Sequence, residues 1–181
     1  EVAEEMLACL AHLPATARVH ISTDSEEKRE TLAALFARNG YGERAEIRVC
    51  PNQGWDIAPF LVGFADAIPR YSLILRLHSK RSVQLPGGAG DAWRARLYNA
   101  LAGSQERVNA ILRAFAEDET LGLVCPPVAD YWAAHVHFGG NFSQMRDLLA
   151  GYGVHIQPDT PIDFPMGSMF WCRPEVLSPW L

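Results

Sequence analysis

From Val19 to Cys125, short apolar runs alternate with stretches whose apolar residues recur at helical spacing. This pattern constrains the chain strongly, because strands joined through helices lie side by side in the same direction, with the helices on the faces of the sheet. Strands are expected near residues 19–22, 46–50, 72–78 and 121–125. The third is rich in Leu and Ile and reads as buried on both faces.

Helices are expected over residues 2–13, then from an Asp24 or Ser25 cap to the Asn39-Gly40 stop, and over 57–68 with Pro59 in the first turn. Two more carry the stripes Trp93, Leu97, Leu101 and Val108, Ile111, Leu112, Phe115. Another runs from Phe142 to about Gly151. Residues 164–172 read as a last buried strand, and Pro174 opens a short terminal helix. The expected fold is a single α/β domain over residues 1–181, three layers deep (α/β/α), with a mainly parallel or mixed sheet.

The chain has 181 residues, 49% apolar and 20% charged, enough for one globular core. A net charge of −5 argues against non-specific binding to nucleic acid. No apolar run approaches the roughly 20 residues that span a bilayer. The opening Glu1-Val2-Ala3-Glu4-Glu5 is acidic, unlike a signal peptide, and lacks an initiator Met, so the chain is expected to be a fragment of a longer, cytoplasmic protein. Cys9, Cys50, Cys125 and Cys172 lie far apart in apolar stretches without CxxC spacing. They read as buried free thiols rather than a metal or redox site. His135-Val136-His137 places two imidazoles on one face of a strand, but no third ligand has matching spacing, and two surface histidines are the plainer reading.

In parallel sheets, ligands bind beyond the carboxyl ends of the strands. That rule selects residues 52–56, residues 78–82 and whatever adjoins Gly167-Ser168. The turn Asn52-Gln53-Gly54-Trp55-Asp56 opens a helix whose N-terminus suits phosphate or sugar hydroxyls. The competing reading is that Asp56 is only a helix cap; Trp55 reads as buried. His78-Ser79-Lys80-Arg81-Ser82 puts two cations at a strand end in an acidic protein, and Lys with Arg suits a diphosphate. The competing reading is a solvated basic loop. Arg94 either points back at the same site or sits on a plain surface helix. Gly167-Ser168 interrupts an apolar run, as glycine does where a ligand or another backbone approaches closely.

Taken together, Pro51-Asn52-Gln53-Gly54-Trp55-Asp56-Ile57-Ala58-Pro59-Phe60-Leu61, Leu77-His78-Ser79-Lys80-Arg81-Ser82, Trp93-Arg94, Leu121-Gly122-Leu123-Val124 and Phe164-Pro165-Met166-Gly167-Ser168-Met169-Phe170-Trp171 resemble the rhamnan synthesis protein F family. Arg173-Pro174 follows the last of them. The segments keep the family's order and cover the chain from about residue 18 onward. The resemblance implies a glycosyltransferase acting in rhamnose-rich surface polysaccharide synthesis, with a nucleotide-sugar donor, dTDP-rhamnose, and a lipid-linked glycan acceptor. It implies work at the inner face of the plasma membrane, with peripheral association through other parts of the full-length protein.

The layout is also similar to GT-A-type glycosyltransferases, with two departures. Their Asp-x-Asp metal motif is replaced here by His78-Ser79-Lys80, so neither a catalytic metal nor another cofactor is expected. Their first strand, part of the nucleotide pocket, is lacking. In this reading Lys80, Arg81 and Arg94 hold the donor diphosphate, with Asn52, Gly54, Asp56, His78, Gly167 and Ser168 completing the donor and substrate site. Asp56 binds a sugar or nucleotide hydroxyl, and Asp163 or Asp130 acts as general base. The rival reading is a non-catalytic glycan- or nucleotide-binding module of a multidomain assembly protein.

Overall fold

The computed structural model describes residues 2–79, 89–128, 136–162 and 164–181. In chain order its elements are α1 (Val2–Leu10), β1 (Val19–Thr23), α2 (Glu26–Arg38), β2 (Ala45–Val49), α3 (Ala58–Leu61), β3 (Ile74–Arg76), α4 (Ala89–Ala102), α5 (Gln105–Glu117), β4 (Leu123–Val124), α6 (Phe142–Ala150) and β5 (Phe170–Cys172). Short 3-10 turns cover Ile68–Arg70, Gly139–Asn141, Met166–Ser168 and Pro174–Trp180. The mixed α/β character follows the sequence pattern, and the four expected strands lie where the apolar runs are.

The described residues form two small sheets in place of the single, mainly parallel or mixed one expected. Among the described residues β1 and β2 make a parallel pair, with Val19 opposite Ala45 and Thr23 opposite Val49. A second sheet has the order β3-β5-β4, and β5 runs antiparallel to both neighbours, Arg76 facing Phe170 and Val124 facing Trp171. The last strand is also shorter than expected. Gly167 and Ser168 adopt positive φ, 71° and 55°, which no strand continues through, so β5 begins only at Phe170.

The side chains of β5 alternate between two cores, as a strand's period of two requires. Met169, just before β5, and Trp171 enter the larger cluster with Leu97, Leu101, Val108 and Phe115, beneath α1, α4 and α5. Phe170 and Cys172 enter the other, with Ile68 and Leu177. The Trp171 indole N–H donates to the Leu101 carbonyl at 3.0 Å, so its one polar atom is satisfied inside the core. Ser104 caps α5 by accepting from the Arg107 N–H, and Ser25 rather than Asp24 caps α2 by accepting from the Lys28 N–H.

The helix expected over 57–68 is one α turn, α3, followed by turns and the Ile68–Arg70 3-10 segment. Gly63 marks the reason: a Cβ there would lie 2.3 Å from the Pro59 carbonyl oxygen and 2.8 Å from the Cys50 Sγ, so the backbone itself packs against β2's exit.

The four cysteines are free thiols; Cys9, Cys50 and Cys172 are buried and Cys125 is half-buried. Burial pushes the Cys172 thiol up to about 12. No helix among the described residues is long and apolar enough to cross a membrane.

Candidate functional site

Asp56, Arg76 and His78 converge from two strands onto one spot. Asp56 lies in the turn after β2, Arg76 ends β3, and His78 follows two residues later. Arg76 is only 4% exposed, and a buried guanidinium requires acceptors in fixed directions. It donates to the Asp56 carboxylate at 2.7 Å, to the Asp56 backbone carbonyl at 2.7 Å, and to the Ser168 carbonyl. Phe60 and Phe170 cover its faces, their ring centroids 4.9 and 5.7 Å from the guanidinium carbon. The His78 Nε2 lies 2.5 Å from the Gly167 carbonyl, to which it donates, and 3.7 Å from the Asp56 carboxylate. The buried Tyr98 hydroxyl donates to the His78 backbone carbonyl at 2.9 Å.

Burial pushes the Asp56 carboxyl up, yet the Arg76 hydrogen bond and the His78 and Arg76 charges outweigh it and hold the group below its ordinary range. Burial lowers Arg76, with Asp56 opposing; arginine stays cationic at physiological pH all the same.

The Gly167-Ser168 kink aims two successive carbonyls at these side chains. A Cβ on Gly167 would lie 2.6 Å from Leu97 Cδ1, so the close approach at this glycine is to α4. Gly54 is required in the same way: its φ is 69°, and a Cβ would meet the Ala58 Cβ at 2.4 Å.

Two sequence readings of this turn change. Trp55 is exposed, at 89%, with a φ of 56° that a bulky residue rarely adopts. Asp56 is not the helix cap, since Ile57 occupies that position and the carboxylate goes to Arg76. With α3 only one turn long, the expected helix N-terminus for an anion is not built.

Arg94 binds Glu5 through two 2.8 Å contacts and Asp91 through a third. It therefore ties α4 to α1. Asn52 is exposed and lies beside Trp55 at the rim of a cavity of about 840 Å³, which Asp56 and His78 also line. Lys80, Arg81, Asp130, Asp163 and His135 lie outside the described residues. Among the described residues, no three His, Cys, Asp or Glu side chains gather as a metal site.

Arg76 is the residue of this cluster that the sequence pattern did not single out. Its signal is a lone charge inside Leu73-Ile74-Leu75-Arg76-Leu77, because a cation within a buried apolar strand must have a partner.

No solved structure matches the chain. Two curated relatives, both called Uncharacterized protein WxcX, come from Xanthomonas campestris pv. campestris strains B100 and ATCC 33913. Each is 35% identical over 187 residues, taking in 100% of this chain and 25% of the relative. This chain thus spans a quarter of the length of the relatives it matches. The family model of rhamnan synthesis protein F matches residues 1–181, the whole of the sequence. With every segment of the earlier resemblance inside that match, the chain belongs to the rhamnan synthesis protein F family.

Proposed function

We propose that this chain is a glycosyltransferase-type domain that moves rhamnose from dTDP-rhamnose to a lipid-linked glycan, at the inner face of the plasma membrane. The observation that carries the reading is the convergence of Asp56, Arg76 and His78 on the large cavity, where two strands finish. Arg76 holds the Asp56 carboxylate in place to accept from a ligand hydroxyl. Lys80 and Arg81 follow His78 after the single residue Ser79 and supply the positive charge for the donor diphosphate. In the transfer step, Asp163 or Asp130 takes the proton of the acceptor hydroxyl. The acceptor oxygen bonds to the anomeric carbon as the bond from that carbon to the diphosphate oxygen breaks, and dTDP leaves with the electron pair.

A second reading, a non-catalytic glycan- or nucleotide-binding module, draws on Trp55. An exposed indole at the cavity rim is a stacking surface for a sugar ring or a base, and needs no chemistry. The test is transfer of radiolabelled rhamnose from dTDP-rhamnose to the lipid-linked fraction by the full-length protein in membranes. Label in the lipid fraction that disappears in Lys80→Ala supports the transferase. Saturable binding of the donor with no transfer supports the binding module.

A further inference from the structure

β3 stops pairing with β5 at Arg76, opposite Phe170, so the sheet no longer fixes the main chain when it reaches His78. The fixed point there is the hydroxyl of Tyr98, on α4, which donates to the His78 carbonyl at 2.9 Å.

Tyr98 is 4% exposed and packs in the larger cluster with Leu97, Leu101 and Met169, so the core sets where its ring lies. A buried phenol must satisfy its one polar group. Trp171 meets the same need with the Leu101 carbonyl, inside the core. Tyr98 instead reaches back along the chain to the residue whose imidazole faces the Asp56 carboxylate. Burial pushes the phenol well above its ordinary range, so the hydroxyl keeps its proton and remains a donor.

The residue before Tyr98 supports the other end of the same contact. The His78 Nε2 donates to the Gly167 carbonyl, and Gly167 rests on Leu97 so closely that a Cβ would come within 2.6 Å of Cδ1. Adjacent residues of α4 thus hold the two chain segments that the His78–Gly167 hydrogen bond joins. The helix is itself anchored through Arg94 to Glu5 of α1. With its carbonyl held at one point and its ring nitrogen at another, His78 is fixed between them.

We propose that Tyr98 is a positioning residue for the Asp56 and His78 end of the cavity, a role that rests on the reading of that end as a donor site. Its hydroxyl holds the His78 main chain so that the imidazole stays on the Gly167 carbonyl, beside Asp56, before the donor arrives. Without the hydroxyl the ring still fills its place in the core, but the His78 backbone loses its anchor and the imidazole spreads over several directions. Holding it beforehand favours binding, because the cost of ordering the side chain is already met in the folded protein.

The tests use the full-length protein and its Tyr98→Phe, His78→Ala and double variants. Diethyl pyrocarbonate, which acylates neutral imidazole, is followed at His78 by peptide mass, with the exposed His155 as internal reference. The His78 side chain is 20% exposed. It is expected to label roughly tenfold or more slowly than His155 in the wild type, and to approach the His155 rate in Tyr98→Phe. The dissociation constant of dTDP-rhamnose, by calorimetry, is expected to rise about tenfold in Tyr98→Phe, but less than about twofold when Tyr98→Phe is added to His78→Ala. His78 labelling at the His155 rate in the wild type, or labelling unchanged by Tyr98→Phe, would overturn the proposal. So would an equal loss of affinity in both backgrounds, the mark of a hydroxyl that only supports the core. If His78→Ala weakens binding and Tyr98→Phe does not, the positioning role fails while the donor site stands. If neither weakens it, the donor reading of this end fails and the positioning role falls with it.

Discussion

The carboxylate of Asp56 and the guanidinium of Arg76 meet at 2.7 Å, and the same guanidinium also holds the backbone carbonyl of Asp56. One buried cation thus fixes both the side chain and the main chain of the turn after β2, and through the Ser168 carbonyl it fixes the turn before β5.

Removing that cation leaves a partly buried carboxylate and two carbonyls without their donor. Arg76→Met is expected to lower stability by about 3 kcal/mol, read as a shift in the urea midpoint. Asp56→Asn keeps an acceptor for Arg76 and is expected to be milder.

Gly167 combines positive φ with close packing on Leu97. Gly167→Ala is expected to lower stability by about 1–3 kcal/mol, from backbone strain together with displacement of Leu97, measured by the same midpoint.

Much of this architecture is visible in the sequence, and the failures have physical causes. The strand positions follow from Val19-His20-Ile21 and Leu73-Ile74-Leu75, because apolar β-rich runs have few other fates. The direction of pairing is not written in a run such as Phe170-Trp171-Cys172, which suits a central strand of either sense. Asp56 and His78 were accessible because strand ends are where this architecture gathers polar residues. Trp55 was misread because tryptophan is usually buried, and only the backbone at Gly54 and Trp55 turns it outward.

Trp55 offers a separation of binding from stability. Trp55→Gly relieves the positive-φ strain and is expected to leave stability unchanged or raise it by about 1 kcal/mol. Binding of dTDP-rhamnose to the full-length protein is expected to weaken by about tenfold, as one stacking contact is lost. Isothermal calorimetry beside thermal melts checks both.

His20 sets a pH dependence. Burial lowers its pKa, with Glu46 pulling the other way. The unfolded chain therefore binds a proton near pH 6.5 where the folded protein does not. The stability from neutral His20 is present above that pH and is lost as pH falls below it. His20→Gln is expected to flatten urea midpoints between pH 6.5 and 5. Asp66, held down to about 2 chiefly by its hydrogen bonds from Arg48, acts in the same sense at lower pH, its contribution fading from about pH 4 downward.

The proposed transferase site places a nucleotide-sugar donor at the Asp56 and His78 end of the cavity, with Lys80 supplying charge to its diphosphate. Calorimetric titration of dTDP-rhamnose into the full-length protein and its Lys80→Ala variant, with melting curves for both, tests it most directly. Saturable binding is expected to weaken tenfold or more in the variant, about 1.4 kcal/mol, with a melting temperature changed by less than about 2 °C. Equal donor affinity in the two proteins, or a fall in melting temperature with binding intact, would contradict it.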